Sequence, residues 1–345
     1  MLVIRVDGNS AIGLGHVIRC LSIAEAAREL GEQVCFLTAC AECVEIIEQR
    51  GYEVILLNTD YRDMDSELPY IERLCEEWAT EILFLVDSYQ VNSAYYQKLR
   101  HFGKVACLED MGDSYPVDLL INYNIYGADY ADIYQKFAKS TLLGAKYMPL
   151  RAEFQKDRMY EVRDVVEHVL ITTGGSDPLF ASKGFVDVFL HSKVLSGNEV
   201  FHVVSGPMNS YAEELKAHYQ GNSRVVIHEN VKSMKQLMQQ CDAVLTATGS
   251  TIYEVSSLGV PMICFYFVEN QRRGAQAVER VLPVVNAGDY SKAPQQVIQR
   301  ALEALEQLVQ EKKIRESMYE KERALVDGKG ADRIARALQE LYEKR

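Results

Sequence analysis

The chain has 345 residues, 48% of them hydrophobic and 25% charged, a globular balance that excludes disorder, collagen-like repeats and coiled coil. At about 100–200 residues per domain this length implies two domains. Acidic residues outnumber basic ones by 49 to 37, for a formal charge of −12, so there is no basic field to displace counterions from phosphates and nucleic acid is not expected as a partner. A phosphate-bearing small molecule stays open, because amide nests and helix N-termini hold phosphate whatever the global charge.

Short β-branched apolar runs alternate with segments of helical period. The first half predicts strands at Leu2–Val6, Gln33–Leu37, Glu53–Leu57, Ile82–Val86, Val105–Leu108 and Leu119–Ile121. The stretch His16–Leu30 reads as a helix, with Val17, Leu21, Ala24 and Ala27 on one face. Strand–helix alternation argues for βα units and a mainly parallel sheet. A charged segment, Arg151–Asp164, interrupts the rhythm, with Lys156, Asp157 and Arg158 at its centre. The pattern then restarts with strands at His168–Thr172, Val200–Val204, Val225–His228, Ala243–Thr246 and Met262–Phe267. Lys292–Arg345 is rich in good helix formers and is broken only by Asp327-Gly328-Lys329-Gly330. The expected fold is α/β, two doubly wound domains facing a cleft, with boundaries at 1–155 and 156–345.

Eight cysteines are present. Cys40 and Cys43 form a C-x-x-C pair with no second pair and no histidine at finger spacing, so reduced, buried thiols are expected. The N-terminus has no basic n-region or cleavage pattern, and no apolar run approaches the ~20 residues of a membrane span. A cytosolic protein without a membrane span is the expectation.

Four polar segments fall where strands hand over to helices, the edge at which open parallel sheets bind ligands. The first runs from Asp7 through Gly13-Leu14-Gly15-His16. Its spacing is neither the dinucleotide fingerprint nor a P-loop. His16 sits in the first turn of a helix, where the dipole disfavours the imidazolium, so a neutral imidazole able to take a proton fits there. A surface or capping histidine fits the spacing as well. Asp7 either orients His16 or caps the loop.

The second segment is Gly174-Gly175-Ser176-Asp177, which supplies open amides for a phosphate or forms an ordinary βα turn with Ser176 or Asp177 as cap. The third is Gly249-Ser250-Thr251-x-x-Glu254. Thr251 and Glu254 match a capping box; alternatively the amides of Gly249–Thr251 hold a diphosphate and the Glu254 carboxylate accepts from a ribose diol. The fourth is Asn270-Gln271, either a helix start or a further polar contact at the same edge.

Together these motifs resemble a known family. Arg5-Val6-Asp7, Gly13-Leu14-Gly15-His16 and Arg19-Cys20-Leu21 are similar to the N-terminal signature of the UDP-2,4-diacetamido-2,4,6-trideoxy-β-L-altropyranose hydrolases of pseudaminic acid biosynthesis and of the related spore-coat polysaccharide biosynthesis proteins. Leu150-Arg151-x-Glu153-Phe154, Gly174–Pro178, Gly249–Glu254 with Leu258-Gly259-Val260-Pro261, Asn270-Gln271 and Asp327-Gly328-x-Gly330 follow in the order the family has them. The resemblance runs from about residue 3 to the C-terminus. It implies the GT-B architecture shared with the glycosyltransferase of peptidoglycan lipid II synthesis, two Rossmann-like domains with the active site between them.

By resemblance the C-terminal domain holds UDP. Glu254 would take the ribose, the Gly249–Thr251 amides the diphosphate, and the backbone around Asn230 and Val231 the uracil. The N-terminal loop would present His16, read in the family as the base that activates water against the anomeric carbon. Asp7, Gly13, Gly15, Arg19, Asp87 and Tyr89 would border the sugar, and Gly174, Gly175, Ser176, Asn270 and Gln271 the nucleotide. No cofactor or metal is implied, since helix N-termini can stabilise the departing diphosphate. The sequence departs from the hydrolases at Asp87-Ser88-Tyr89, where Asp-His-Tyr is common, and at Glu109-Asp110, where Asp-Asp is usual. A UDP-sugar hydrolase is the leading expectation. A glycosyltransferase of the same architecture and a nucleotide-sugar-binding protein without turnover are the alternatives.

Overall fold

The computed structural model describes residues 1–9, 11–78, 80–155 and 159–343. Ser10 of the glycine loop and Lys156, Asp157 and Arg158 of the charged connector lie outside the described residues. The chain divides into two units, Met1–Ala152 with Gly328–Arg345, and Glu153–Asp327.

The first unit is built on seven parallel strands: β1 (Leu2–Val6), β2 (Val34–Thr38), β3 (Glu53–Leu56), β4 (Ile82–Asp87), β5 (Gly103–Leu108), β6 (Leu119–Asn122) and β7 (Thr141–Leu143). Its helices in the same stretch are α1 (Gly15–Glu29), α2 (Val44–Glu48), α3 (Leu68–Trp78), α4 (Ser93–Leu99) and α5 (Ala131–Tyr134). Parallel neighbours need crossovers that cover both sheet faces, which is why β1 and β4 read as unbroken buried runs. Val3, Phe84 and Val105 reach one such core with Tyr95, Tyr96 and Leu99 of α4. Full burial of side chains of this size contributes about 1.5–3 kcal/mol each.

The second unit has six parallel strands: β8 (His168–Thr172), β9 (Val200–Ser205), β10 (Val225–Glu229), β11 (Ala243–Ala247), β12 (Met262–Tyr266) and β13 (Val285–Asp289). With them run α6 (Ala181–Leu190), α7 (Ala212–Tyr219), α8 (Met234–Gln240), α9 (Thr251–Leu258), α10 (Glu269–Val281), α11 (Pro294–Gln310) and α12 (Lys312–Leu325). Phe185, Phe201, Phe265, Leu305 and Met318 meet in its core.

Each strand expected from the sequence is present. Two more appear: β7 is a three-residue edge strand, and β13 (Val-Asn-Ala-Gly-Asp) lacks the apolar run that marks a strand. The terminal helix α13 (Gly330–Glu343) was expected with the second unit but packs on α1 of the first. Glycine permits its entry: a Cβ on Gly330 would stand 2.1 Å from the Met148 carbonyl oxygen. All eight cysteines carry free thiols, seven of them buried.

Strand order fixes where a site can form. In the first sheet the order is β3-β2-β1-β4-β5-β6-β7, in the second β10-β9-β8-β11-β12-β13. The chain reverses its direction of advance between β1 and β4, and again between β8 and β11. At such switch points neighbouring loops leave the sheet on opposite faces and open a crevice at the strand carboxyl ends.

Candidate active site

At the first switch point the loop after β1 leads directly into α1, so His16 stands in the first turn of the helix. The same position sets its ring beside the end of β4, because β1 and β4 pair with Val6 opposite Asp87. His16 Nδ1 lies 2.7 Å from Asp87 Oδ1. One turn further along α1, Arg19 donates from Nε to Asp87 Oδ2 at 2.6 Å and from Nη2 to Oδ1 at 2.5 Å. Its Nη1 donates to the Tyr123 hydroxyl, just past β6, and, at 3.4 Å, to Asp110 Oδ2. Burial alone would raise the Asp87 pKa, but the Arg19 guanidinium and His16 hold it well below the usual carboxylate range. Asp87 is therefore a fixed anion. A carboxylate can only accept, so the imidazole proton belongs on Nδ1 and the lone pair on Nε2.

Tyr89 covers this group. Its ring meets His16 edge to face, with centroids 4.8 Å apart, and its hydroxyl donates to Asp110 Oδ2 at 3.1 Å. Beneath it is a pocket of about 20 Å³ lined by Asp7, Ile12, His16, Tyr61, Asp87, Ser88, Tyr89 and Gln90, room for about one water molecule. Gly13, with a φ of 75°, and Gly15 have open space where a Cβ would stand. Asn9 shapes their loop, accepting the Ala11 and Ile12 N–H groups at its side chain and the Gly13 N–H at its carbonyl.

Asp7 does not orient His16. One carboxylate oxygen accepts from Arg5 Nη1 at 2.6 Å, and the other from the Ala39 N–H at 2.8 Å and Thr38 Oγ1 at 3.1 Å. Arg5 in turn forks onto the buried Glu67 at 2.7 and 2.6 Å. Asp7 thus ties β1 to the end of β2 and borders the pocket floor. Tyr61, Gln90 and Tyr123 carried no signal in the sequence: the first two lie in irregular loops and Tyr123 follows an unremarkable apolar strand.

At the second switch point the loops after β8 and β11 lie side by side. Gly174, with a φ of 90°, and Gly249 have nothing within 4 Å of the place a Cβ would take, so both backbones face open space. Gly175 and Ser250 are exposed and Ser176 is half-buried. Asp177 is a structural cap: its two oxygens accept the Ala181 and Ser182 N–H groups at 2.7 and 3.0 Å. The capping-box reading of the third segment does not hold at its N-cap. Thr251 is the first helical residue of α9, and Ser250 at the cap makes no side-chain cap bond. Glu254 is buried on the first turn of α9. Asn270 and Gln271 fall in the first turn of α10, and Gln271 Oε1 accepts the Phe267 N–H at 3.3 Å. Asn230 takes a left-handed φ of 48° just past β10, beside the half-buried Val231. A larger crevice of about 320 Å³, with Ile263, Val285, Leu308 and Met318 in its lining, sits near the strand starts, away from these loops.

Residues 169–333 match the model of the glycosyltransferase family 28 C-terminal domain. The chain is 25% identical over 352 residues to the spore coat polysaccharide biosynthesis protein SpsG of Bacillus subtilis, covering 99% of this chain and 98% of that one. An uncharacterized protein of Methanocaldococcus jannaschii is 27% identical over 287 residues, 79% of this chain and 56% of its own length. The pseudaminic acid cytidylyltransferase and UDP-2,4-diacetamido-2,4,6-trideoxy-β-L-altropyranose hydrolase of Helicobacter pylori is 24% identical over 261 residues, 75% of this chain and 43% of its own. The chain thus spans about half the length of these last two relatives. Among solved structures, the kitacinnamycin glycotransferase superposes with a TM-score of 0.69 at 15% identity, covering 99% and 98% of the two chains. MurG of Acinetobacter baumannii gives 0.67 at 14%, covering 98% and 99%. The Streptomyces sp. SF2575 glycosyltransferase SsfS6, complexed with thymidine diphosphate, gives 0.59 at 14%, also covering 98% and 99%. At these identities the likeness establishes the fold, which is of the GT-B type.

Proposed function

We propose that this protein hydrolyses the glycosyl C1–O bond of a UDP-activated amino-deoxy sugar, with His16 as the general base. The observation that carries the reading is the His16–Asp87 pair at 2.7 Å beside a water-sized pocket at a switch point. A water oxygen attacks C1 while His16 Nε2 takes its proton. The C1–O bond breaks and its electron pair leaves with the diphosphate. The amides of Ser250 and Thr251, at the N-terminal end of α9, and of Gly175, in the turn after β8, receive that charge, which a helix N-terminus stabilises without a metal. The Gly174 and Gly249 N–H groups already donate to Thr172 Oγ1 and the Ala247 carbonyl, so these glycines serve by leaving the approach open. Glu254 takes the ribose and the turn at Asn230 and Val231 the base; Ser176, Asn270 and Gln271 border the nucleotide. The bound thymidine diphosphate of SsfS6 and the hydrolase name of the Helicobacter relative support a nucleoside diphosphate sugar. The likeness to SpsG supports a place in polysaccharide biosynthesis.

The glycosyltransferase matches favour a second reading, in which the same base deprotonates an acceptor hydroxyl. A panel of UDP-amino sugars, scored for UDP release with and without added acceptors, separates the two. Release in water alone, lost in His16→Ala with UDP binding kept, supports hydrolysis. Release only with an acceptor overturns it in favour of transfer. Release by neither route, with UDP bound equally by His16→Ala, leaves a binding protein.

A further inference from the structure

We propose that Arg19 is a positioning residue that, by forking around Asp87, makes Nδ1 of His16 the protonated nitrogen and leaves Nε2 as the base. The assignment rests on the hydrolytic reading and adds to it the group that sets the ring's tautomer and charge.

The argument is geometric first. Arg19 engages both oxygens of Asp87, at 2.6 and 2.5 Å, and its Nη2 also stands 2.9 Å from His16 Nδ1. Two nitrogens therefore crowd one carboxylate oxygen. If Nδ1 carries the proton, both donate to Oδ1. If Nδ1 instead accepts from Arg19, its lone pair faces a carboxylate oxygen at 2.7 Å, a repulsive contact. The fork keeps Asp87 ionised and in the plane that selects the first arrangement. Arg19 cannot swing away, because the Tyr123 hydroxyl and Asp110 hold its far side.

The second part is charge. The imidazole is faced by Asp87 from β4, by Arg19 from its own helix and by Tyr89 above; Asp110 and Tyr123 stand behind Arg19, and Asp7 and Tyr61 across the pocket. Asp87 alone would favour the imidazolium, as any carboxylate at this distance does. The guanidinium opposes that pull with a positive charge 2.9 Å from Nδ1. Lysine would supply the charge without the fork.

Histidine-ring ¹⁵N NMR on the full-length protein between pH 5 and 9 tests this in the wild type, Arg19→Gln, Arg19→Lys and Tyr123→Phe. The wild-type His16 ring is expected as the Nδ1–H tautomer. Arg19→Gln is expected to bind the ring proton about tenfold more tightly, with smaller changes in the same direction for Arg19→Lys and Tyr123→Phe. An Nε2–H wild-type ring, or an unchanged His16 midpoint in an Arg19→Gln protein that melts like wild type, overturns the proposal. Should Arg19→Gln not fold, Tyr123→Phe decides: a rise supports the role and no change overturns it. No nucleotide sugar is needed. A shifted ring without UDP release therefore upholds the role of Arg19 while the hydrolase reading fails, and the reverse result separates them equally well.

Discussion

Asp87 and His16 are 71 positions apart in the chain, yet His16 Nδ1 stands 2.7 Å from Asp87 Oδ1. The contact exists because β4, the fourth strand in sequence, is the immediate neighbour of β1 in the sheet. The strand that ends in Asp87 thereby stops level with the loop that begins α1.

Substituting Asp87→Asn keeps the size and removes the fixed anion. Arg19 then has one oxygen to bond, and Nδ1 of His16 no longer meets an obligate acceptor, so the ring can carry its proton on Nε2. UDP release is expected to fall by on the order of 10³–10⁴-fold, the cost of the wrong tautomer in a comparable dyad. Calorimetric titration of UDP should show unchanged affinity. A loss of UDP binding in step with turnover would count against the role.

This dyad also marks the limit of what the sequence discloses. His16 was legible because a glycine loop at the end of a strand precedes it. Its partner was not, since Asp7 and Asp87 both end strands and only the spatial strand order chooses between them. Asp7 turns out to serve Arg5, Thr38 and Ala39. The strands themselves were legible because parallel sheets buried on both faces leave unbroken apolar runs. The placement of α13 was hidden for a related reason. Its amphipathic pattern says that one face is buried, not which sheet buries it; the structure sets that face on α1 of the first unit, with Gly330 close against Met148.

Glu322 of α12 is fully buried, and neither carboxyl oxygen makes a hydrogen bond. Burial raises its pKa far above the ordinary glutamate value. In the unfolded chain the group ionises near 4.5. Between that value and the folded one the unfolded state binds fewer protons, so stability falls as pH rises. Glu322→Met should remove this dependence and raise stability at pH 8 by about 1–3 kcal/mol, the cost of an unmet buried polar group. Chemical denaturation at pH 5 and pH 8 checks it. A variant less stable than wild type at both would show that the carboxyl is satisfied in solution.

Three histidines form a row across β8, β9 and β10. His168 Nδ1 meets His202 Nε2 at 3.0 Å, and His202 Nδ1 meets His228 Nε2 at 2.9 Å. Burial, then the neighbouring imidazoles, lower the His202 pKa from 6.5 to about 4. Between those values the unfolded chain binds the additional proton, so stability present above pH 6.5 is lost as pH falls toward 4. His202→Gln should flatten that acid-side loss, read as melting temperature from about pH 7 to about pH 4.5. An equally steep decline in the variant would place the acid sensitivity elsewhere.

Gly249 gives the test of the second unit with the fewest side effects. Its φ lies outside the left-handed region and nothing stands within 4 Å of the place a Cβ would take. Alanine there strains no backbone and meets no neighbour, so the melting temperature should stay within a degree or so of wild type. The added methyl would nevertheless occupy the space through which a diphosphate approaches the amides of Ser250 and Thr251. UDP affinity is expected to weaken by about tenfold or more, since an anion held by backbone N–H groups tolerates no displacement from them. Gly174→Ala is the contrasting control. At a φ of 90° a side chain is strained whatever the space around it, so stability and binding should fall together. UDP binding by Gly249→Ala at wild-type strength would move the diphosphate away from the β11–α9 turn.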